Sequence, residues 1–190
     1  MNFAPFSKWY YKKLIKRILS VKELTANTFF SSQFLRNCLA IAIISVFLST
    51  SAAAFTDLKG KKVEIEKQLG GGKWSIVELW ASDCSACRQH MPAMVKFDGK
   101  LKNARILGIA LDGQKGIKDA KSFIKKFDVK FKNIVSNPIE ASAWMEKLAG
   151  EPLIGTPTFM LFDPKGKLVA AQPGMVPTAS LETFIKKNSK

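Results

Sequence analysis

Apolar residues in most of the chain fall into two kinds of segment, short continuous runs and longer stretches with helical spacing. The continuous runs at 75–80, 105–111 and 158–162 are rich in β-branched and aromatic residues and predict buried strands. The clearest helical spacing covers 117–127, where the apolar residues are Ile117, Ala120, Phe123, Ile124 and Phe127. Strands that alternate with helices in this way predict parallel pairing within one sheet.

Shorter patterns complete the predicted order of elements. Further strands are expected at 131–135 and 167–172, and further helices at 85–101, 138–148 and 180–187. The turn sequence DPKG joins the last two strands as a hairpin, and Lys59-Gly60 predicts a smaller N-terminal hairpin within 55–65. The pattern predicts an α/β domain with a mixed central sheet and helices on both faces.

Residues 1–54 have the pattern of a targeting segment. An apolar run at 38–48 follows basic residues and precedes small residues, which is the order found in secretory signals. Cleavage after Ala54 would release residues 55–190, whereas an uncleaved signal would anchor the chain through residues 38–55. In both cases the basic residues stay in the cytoplasm and the domain crosses the membrane. We therefore expect a periplasmic domain, free or attached to the inner membrane. The basic region is long for a signal, so the true start of translation stays open.

Charge and composition exclude several classes of function. The chain carries 30 Lys and Arg against 15 Asp and Glu, a formal net charge of +15, and its 47% hydrophobic content is that of a globular protein. Lysines are spread along the domain without an interleaved aromatic patch, which indicates a solvated surface and argues against nucleic-acid binding. One histidine and three cysteines exclude most histidine-based metal sites and any disulfide-rich scaffold.

The motif that carries chemistry is C-S-A-C at 84–87, which follows the strand at 75–80 and opens the next helix. Unpaired backbone N–H groups at a helix N-terminus stabilise a thiolate on Cys84, and Cys87, one turn later, can close a disulfide. The pair can therefore cycle between dithiol and disulfide. A zinc site needs more ligands than the nearby His90 supplies, and a static disulfide is the remaining alternative. We expect no cofactor and no bound metal.

The cysteine motif and a later Thr-Pro pair lie within two longer runs. The first is VELWASDCSACRQHMPAM at 77–94, and the second is GTPTFMLFDPKGKLV at 155–169. Together these runs resemble the thioredoxin superfamily, and most closely its exported TlpA/ResA-like branch. The resemblance covers residues 55–190 and implies a thioredoxin-like fold, in which the helix at 138–149 is the central insertion of that branch.

The resemblance also implies roles for three further residues. It implies a cis peptide bond between Thr156 and Pro157, packed beside the cysteines, where the backbone would meet an extended substrate and keep metals off the sulfurs. It makes Trp80 the tryptophan next to the active site, and we expect it to contribute to substrate binding.

Glu78 lies in the apolar strand, six residues before Cys84. Alternation along a strand puts Glu78 on the same face as Ile76 and Trp80, which favours burial over the alternative of a solvent-facing strand end. Burial raises the pKa of a carboxyl group. By resemblance, this acid would take the proton from Cys87.

Three positions depart from the pattern of this branch. Asp83 precedes Cys84, where a carboxylate disfavours a thiolate, and we expect it to cap the helix instead. Ser85 and Ala86 supply neither histidine nor proline between the cysteines, and the lack of histidine favours a reductant or a neutral exchanger over an oxidant. His90 stands where these proteins commonly have a carboxylate. As an imidazolium it would lower a cysteine pKa, but the favoured interpretation is a surface histidine without a role.

The predicted function is that of an exported thiol–disulfide oxidoreductase which reduces disulfides of other exported proteins. Cys84 would attack, Cys87 would resolve the mixed disulfide, and a membrane electron donor would recharge the pair. Two alternatives stay open. One is a disulfide oxidase or isomerase-type exchanger. The other is a thioredoxin-fold copper chaperone that uses both cysteines and His90.

Overall fold

Six strands form one mixed sheet within residues 55–189, the part of the chain that the computed structural model describes. The strands are β1 (Thr56–Asp57), β2 (Trp74–Trp80), β3 (Ala104–Ala110), β4 (Lys132–Val135), β5 (Thr158–Phe162) and β6 (Leu168–Pro173). The helices are α1 (Ser85–Phe97), α2 (Ile117–Lys126), α3 (Pro138–Ala149) and α4 (Thr178–Asn188), with a 3-10 helix at Ile65–Gln68. The predicted thioredoxin-like α/β order is confirmed.

The sheet has the strand order β1-β4-β3-β2-β5-β6. The three central strands β2, β3 and β4 pair in parallel, because a helix connects each to the next. The strands β5 and β6 form the predicted antiparallel hairpin, and β5 pairs antiparallel with β2. The strand β2 therefore has a neighbour on each edge, and all seven of its residues are buried.

Helices cover both faces of the sheet, as predicted. On one face, α1, α2 and α4 pack against the side chains of β2 that include Ile76 and Trp80. On the other face, α3 and the 3-10 helix pack against Val77 and Leu79. Because strand side chains alternate between faces, Glu78 belongs to the face that α1 covers. The helix α3 lies between β4 and β5, where the central insertion was expected.

The helix α1 is shorter than predicted. It ends at Phe97 rather than near residue 101, with Asp98 as its C-cap. Gly99 follows in the left-handed region at φ 74°, a conformation that glycine adopts at little cost and that ends a helix. The sequence pattern missed this stop because apolar residues continue beyond it.

The C-terminal helix α4 is fixed to the rest of the domain by polar contacts. Glu182 forms ion pairs of 2.7 Å with Lys100, which follows α1, and with Lys186. These two lysines lower the pKa of Glu182 to about 2. At the helix end, Trp74 Nε1 donates to Ser189 Oγ at 2.9 Å. The helix is thereby held over the sheet face that also carries α1.

The predicted N-terminal hairpin is present in a reduced form. Asp57 Oδ1 accepts hydrogen bonds from the backbone N–H groups of Lys59 and Lys61, which closes the turn. The returning segment contributes only a single bridge at Lys62, opposite Thr56. The strand β1 instead pairs with β4 at the sheet edge.

The leader predicted at 1–54, with its apolar run at 38–48 and cleavage after Ala54, lies outside the described residues. Across residues 55–189, no helix has both the length and the apolar character needed to cross a membrane.

Candidate redox site

Cys84 and Cys87 form a disulfide at the N-terminus of α1, with 5.3 Å between their Cα atoms. Cys84 is itself the N-cap of the helix, and its Sγ accepts a hydrogen bond of 3.0 Å from the Cys87 backbone N–H. The expectation that Asp83 caps the helix was wrong. Asp83 is exposed and lies one residue before the position with cap geometry. A sulfur at the cap receives the unpaired N–H that stabilises a thiolate there.

The two cysteines differ in exposure. Cys84 is half-buried, whereas the relative exposure of Cys87 is 0%. A partner protein can therefore reach the sulfur of Cys84 but not that of Cys87. This asymmetry suits Cys84 to exchange with external thiols and disulfides, and Cys87 to react only within the molecule.

The Thr156–Pro157 segment lies against the exposed sulfur. The peptide bond between these residues is cis, and the Thr156 carbonyl oxygen lies 3.4 Å from Cys84 Sγ. Pro157 is buried, and its carbonyl accepts a hydrogen bond of 2.8 Å from the Gly174 N–H. Thr156 stays half-buried. Its main chain is thus held in place beside the reactive sulfur.

A groove of about 580 Å³ adjoins this segment. Thr156 and Ile154 contribute to one wall, and Ile154 is 76% exposed. Asp83 and Asp112 contribute polar groups to the lining. The groove provides space for a chain segment next to Cys84.

Trp80 does not contribute to a substrate surface, contrary to the expectation. Its relative exposure is 0%. The indole Nε1 donates to Asn133 Oδ1 at 3.0 Å, and the ring stacks on Phe123 with 4.4 Å between ring centres. Trp80 is therefore a packing residue of the core between the sheet and the helices α1, α2 and α4.

Glu78 and His90 meet in the core beneath the disulfide-bearing helix. Glu78 is 0% exposed and His90 is 7% exposed. His90 Nδ1 lies 3.7 Å from Glu78 Oε1, and His90 Nε2 lies 2.9 Å from the Val176 carbonyl oxygen. The burial predicted for Glu78 is confirmed. The favoured interpretation of His90 as a surface residue was wrong, because the loop before α4 covers this part of α1.

Burial sets the electrostatics of these two groups. Desolvation raises the pKa of Glu78, and the neighbouring imidazole only partly opposes that shift. The Glu78 carboxylate raises the pKa of His90, against the effect of burial. Among residues 55–189, neither oxygen of Glu78 has a hydrogen-bond partner within 3.5 Å, and neither does His90 Nδ1. Because the pKa of each group is raised, the pair tends to retain a proton.

A sequence signal for His90 was available. The buried residues of α1 recur with helical spacing at Cys87, His90, Met91, Met94 and Phe97. A histidine within such a stripe faces the core rather than water. No comparable local signal marked Val176, which lies 86 residues further along the chain.

Comparison with known proteins identifies the family. The model of the AhpC/TSA family matches residues 49–171. The chain belongs to the AhpC/TSA family. It is also 31% identical over 132 residues to the thiol-disulfide oxidoreductase ResA of Bacillus thuringiensis subsp. konkukian, an alignment that covers 70% of this chain and 72% of that protein. The Cys84–Cys87 pair fits the redox site expected of a thiol–disulfide oxidoreductase.

Two solved structures share the fold. The thioredoxin domain of a thiol-disulfide oxidoreductase from Bacteroides vulgatus is 26% identical, with a TM-score of 0.56 over 71% of this chain and 96% of that one. StoA from Bacillus subtilis is 17% identical, with a TM-score of 0.52 over 69% of this chain and 93% of its own, and supports the fold alone.

Proposed function

We propose that this AhpC/TSA-family chain is an exported protein disulfide reductase. The observation that carries the proposal is the asymmetry of the cysteine pair: Cys84 is half-exposed beside the Thr156 backbone, and Cys87 is buried. An extended substrate segment in the adjoining groove would pair with the Thr156 main chain and bring its disulfide to Cys84. Pro157 would hold that main chain in position.

The proposed cycle has two exchange steps. The Cys84 thiolate attacks one sulfur of the substrate disulfide, and the other substrate sulfur leaves as a thiolate. Cys87 then loses its proton and attacks Cys84 Sγ, so that the second substrate thiolate leaves and the enzyme disulfide forms. Two electrons pass to the substrate, and Glu78 is the proposed acceptor of the Cys87 proton. The buried position of Glu78 on the face covered by α1 supports this role.

The proposed direction is reduction. Ser85 and Ala86, between the cysteines, offer no imidazolium to stabilise the reduced form. Equilibration of the purified protein with glutathione buffers measures the reduction potential. A value near that of thioredoxin, about −270 mV, supports a reductase, whereas a value near −120 mV contradicts it and indicates an oxidant.

Insulin reduction tests the activity and the roles of the two cysteines. We expect turnover by the wild-type protein and none by Cys84→Ser. Cys87→Ser should accumulate a mixed disulfide with the substrate, because the resolving thiol is absent. Turnover by Cys84→Ser would contradict the assignment. Stoichiometric Cu(I) binding by the reduced protein, lost in Cys87→Ser and without insulin reduction, would instead support the copper chaperone.

Export and recharging are also part of the proposal. The leader at 1–54 would direct residues 55–190 to the periplasm, where substrates are exported proteins that carry thiols or disulfides and the electron donor is a membrane protein. Cell fractionation with intact-mass analysis tests this. A cytoplasmic, full-length product would contradict export, and a membrane-bound periplasmic product would identify the apolar run as an anchor.

A further inference from the structure

We propose that Glu78 and His90 hold one proton between them and exchange it with the Cys87 sulfur in each redox cycle. The inference rests on the proposed function, in which Glu78 accepts that proton, and adds His90 as the residue that positions it. His90 is the single histidine of the chain. It lies one helical turn after Cys87, in the same buried stripe of α1.

The orientation of the imidazole defines where the proton lies. Nε2 is 2.9 Å from the Val176 carbonyl oxygen, and a carbonyl only accepts, so Nε2 carries a hydrogen. The neutral ring then presents a lone pair at Nδ1, 3.7 Å from Glu78 Oε1. Among residues 55–189, the two Glu78 oxygens have no hydrogen-bond partner. One proton on either Nδ1 or Oε1 gives this contact a donor and an acceptor and leaves the pair without a net charge.

The surroundings of the pair bear on which group can exchange a proton with it. Phe159 of β5 packs edge-on against the imidazole, with 5.3 Å between ring centres. The side chains that α4 contributes to this core are apolar. Within residues 55–189, no lysine, arginine or further carboxylate forms an ion pair with Glu78 or His90. Cys87 and His90 are both buried residues of α1, and we infer that Cys87 is the group that exchanges a proton with the pair.

Burial favours the one-proton state because that state has no net charge. It is neutral both as carboxylic acid beside imidazole and as carboxylate beside imidazolium. If the proton is lost, the Glu78 carboxylate lies against the lone pair of a neutral His90. If a second proton binds, the His90 imidazolium lies beside an uncharged Glu78 and has no counter-ion. Each of those states puts a net charge into an apolar core. The two groups therefore titrate as one unit, with pKa values that belong to the pair rather than to either residue.

The same proton serves both directions of the cycle. When a donor thiolate opens the disulfide at Cys84, the bonding electron pair leaves on the Cys87 sulfur, which takes the proton from the Glu78–His90 pair. When the dithiol reduces a substrate, Cys87 returns the proton to the pair and attacks Cys84 Sγ as a thiolate. The transfer leaves the number of buried charges unchanged, because the negative charge moves from the Cys87 sulfur to the pair.

Stopped-flow reaction of the reduced full-length protein with a chromogenic aromatic disulfide separates the two steps. The first coloured thiolate reports attack by Cys84, and the second reports the Cys87 step. Glu78→Gln removes the carboxylate, and His90→Gln removes the titrating ring but keeps a donor for the Val176 carbonyl. We expect each variant to slow the second phase at least about tenfold, a modest effect for acid–base catalysis. The first phase should stay within about twofold.

Two measurements distinguish a proton-sharing pair from separate structural roles of Glu78 and His90: the rate of the double variant and the pH dependence of the second phase. The double variant should be no slower than the slower single variant, because the residues act as one unit. The pH midpoint of the second phase should shift in each single variant and vanish in the double variant. Met91→Leu, in the same buried stripe, is the control that alters packing without removing a titrating group.

The inference is overturned if His90→Gln matches Met91→Leu in both rate and pH midpoint, or if the two single effects multiply in the double variant. Nitrogen NMR of the wild-type imidazole gives a second test that needs no rate measurement. His90 and the Glu78 carboxyl should titrate with a common midpoint, and an independent His90 transition at about pH 6.5 would contradict the proton-sharing pair. If that happened while insulin reduction still depended on Cys84, the proton-sharing pair would be refuted but the proposed reductase function would remain supported.

Discussion

Buried polar side chains on the sheet face under α1 differ in how well they are hydrogen-bonded. Asn133 accepts from Trp80 Nε1 and donates to the Phe131 carbonyl, so both ends of its amide are paired. Glu78 is also buried, yet neither of its oxygens has a hydrogen-bond partner among residues 55–189, and Oε1 lies 3.7 Å from His90 Nδ1. An unpaired buried polar group costs about 1–3 kcal/mol. Glu78 is therefore expected to reduce stability, as functional groups in a core often do.

Replacement of Glu78 by glutamine should stabilise the oxidised protein at alkaline pH. The pKa of Glu78 is raised in the folded state, so the folded protein binds more protons than the unfolded chain above about pH 4.3. Wild-type stability therefore falls as the pH rises through the raised pKa, and this loss is absent in Glu78→Gln. Urea unfolding should give the variant an advantage of about 1–3 kcal/mol near pH 8, with little difference near pH 4.

Glu66→Gln is the matched control for that measurement, because Glu66 is exposed in the 3-10 helix. It should follow the wild-type pH dependence. An equal pH dependence in wild type and Glu78→Gln would show that Glu78 is not the titrating group.

Gly108 should not tolerate a side chain. It lies in β3 directly beneath the Trp80–Asn133 hydrogen bond, and an added Cβ would overlap Asn133 Oδ1 and lie 2.8 Å from Trp80 Nε1. We expect Gly108→Ala to lower the free energy of unfolding by about 2–4 kcal/mol, from overpacking and loss of that hydrogen bond. Ile109→Val, on the same strand, should cost only about 0.5–1.5 kcal/mol. Urea denaturation of both variants tests this, and similar losses would contradict the steric argument.

At the scale of elements, the junction between β2 and α1 determines the reactivity of the cysteines. The chain leaves the buried strand, turns through a short loop and enters the helix at Cys84. The first residue of the motif stays at the surface because it is the cap, and the second enters the core because it lies on the first helical turn. The spacing of the motif thus produces one accessible and one enclosed sulfur.

Alkylation of the reduced protein tests this difference. Iodoacetamide should modify Cys84 at least about tenfold faster than Cys87, because reactivity follows access and thiolate stabilisation at the helix N-terminus. Peptide mass spectrometry at short reaction times gives the ratio. Cys84→Ser should be almost unreactive under the same conditions, and equal labelling of the two cysteines would contradict the assigned roles.

At the scale of the whole molecule, the six strands and the two core clusters all lie within residues 55–189. The central strand β2 contributes to both clusters, which couples the two faces of the sheet. We therefore predict that residues 55–190 fold without the leader and unfold in one cooperative transition, as single domains of this size usually do. Calorimetry on this fragment measures the number of unfolding transitions, and two separated transitions would contradict a single cooperative unit.

Much of the fold could be predicted because its signals are local. Continuous apolar runs marked β2, β3 and β5, and the DPKG turn marked the terminal hairpin. The C-x-x-C motif at a strand-to-helix junction indicated the redox pair, and strand alternation indicated that Glu78 is buried. In each case the decisive neighbours lie within a few residues of one another, so periodicity and turn chemistry suffice.

The sequence by itself determined the class of fold, the chemistry of the cysteine pair and the face of β2 that carries Glu78. Only the tertiary structure decided which residue caps α1, that Trp80 is enclosed, and that His90 faces Glu78. The burial of His90 depends on Val176, 86 residues away, and that of Trp80 on Asn133, 53 residues away. A local pattern contains no information about such contacts, because the exposure of a residue depends on whatever distant segment packs over it.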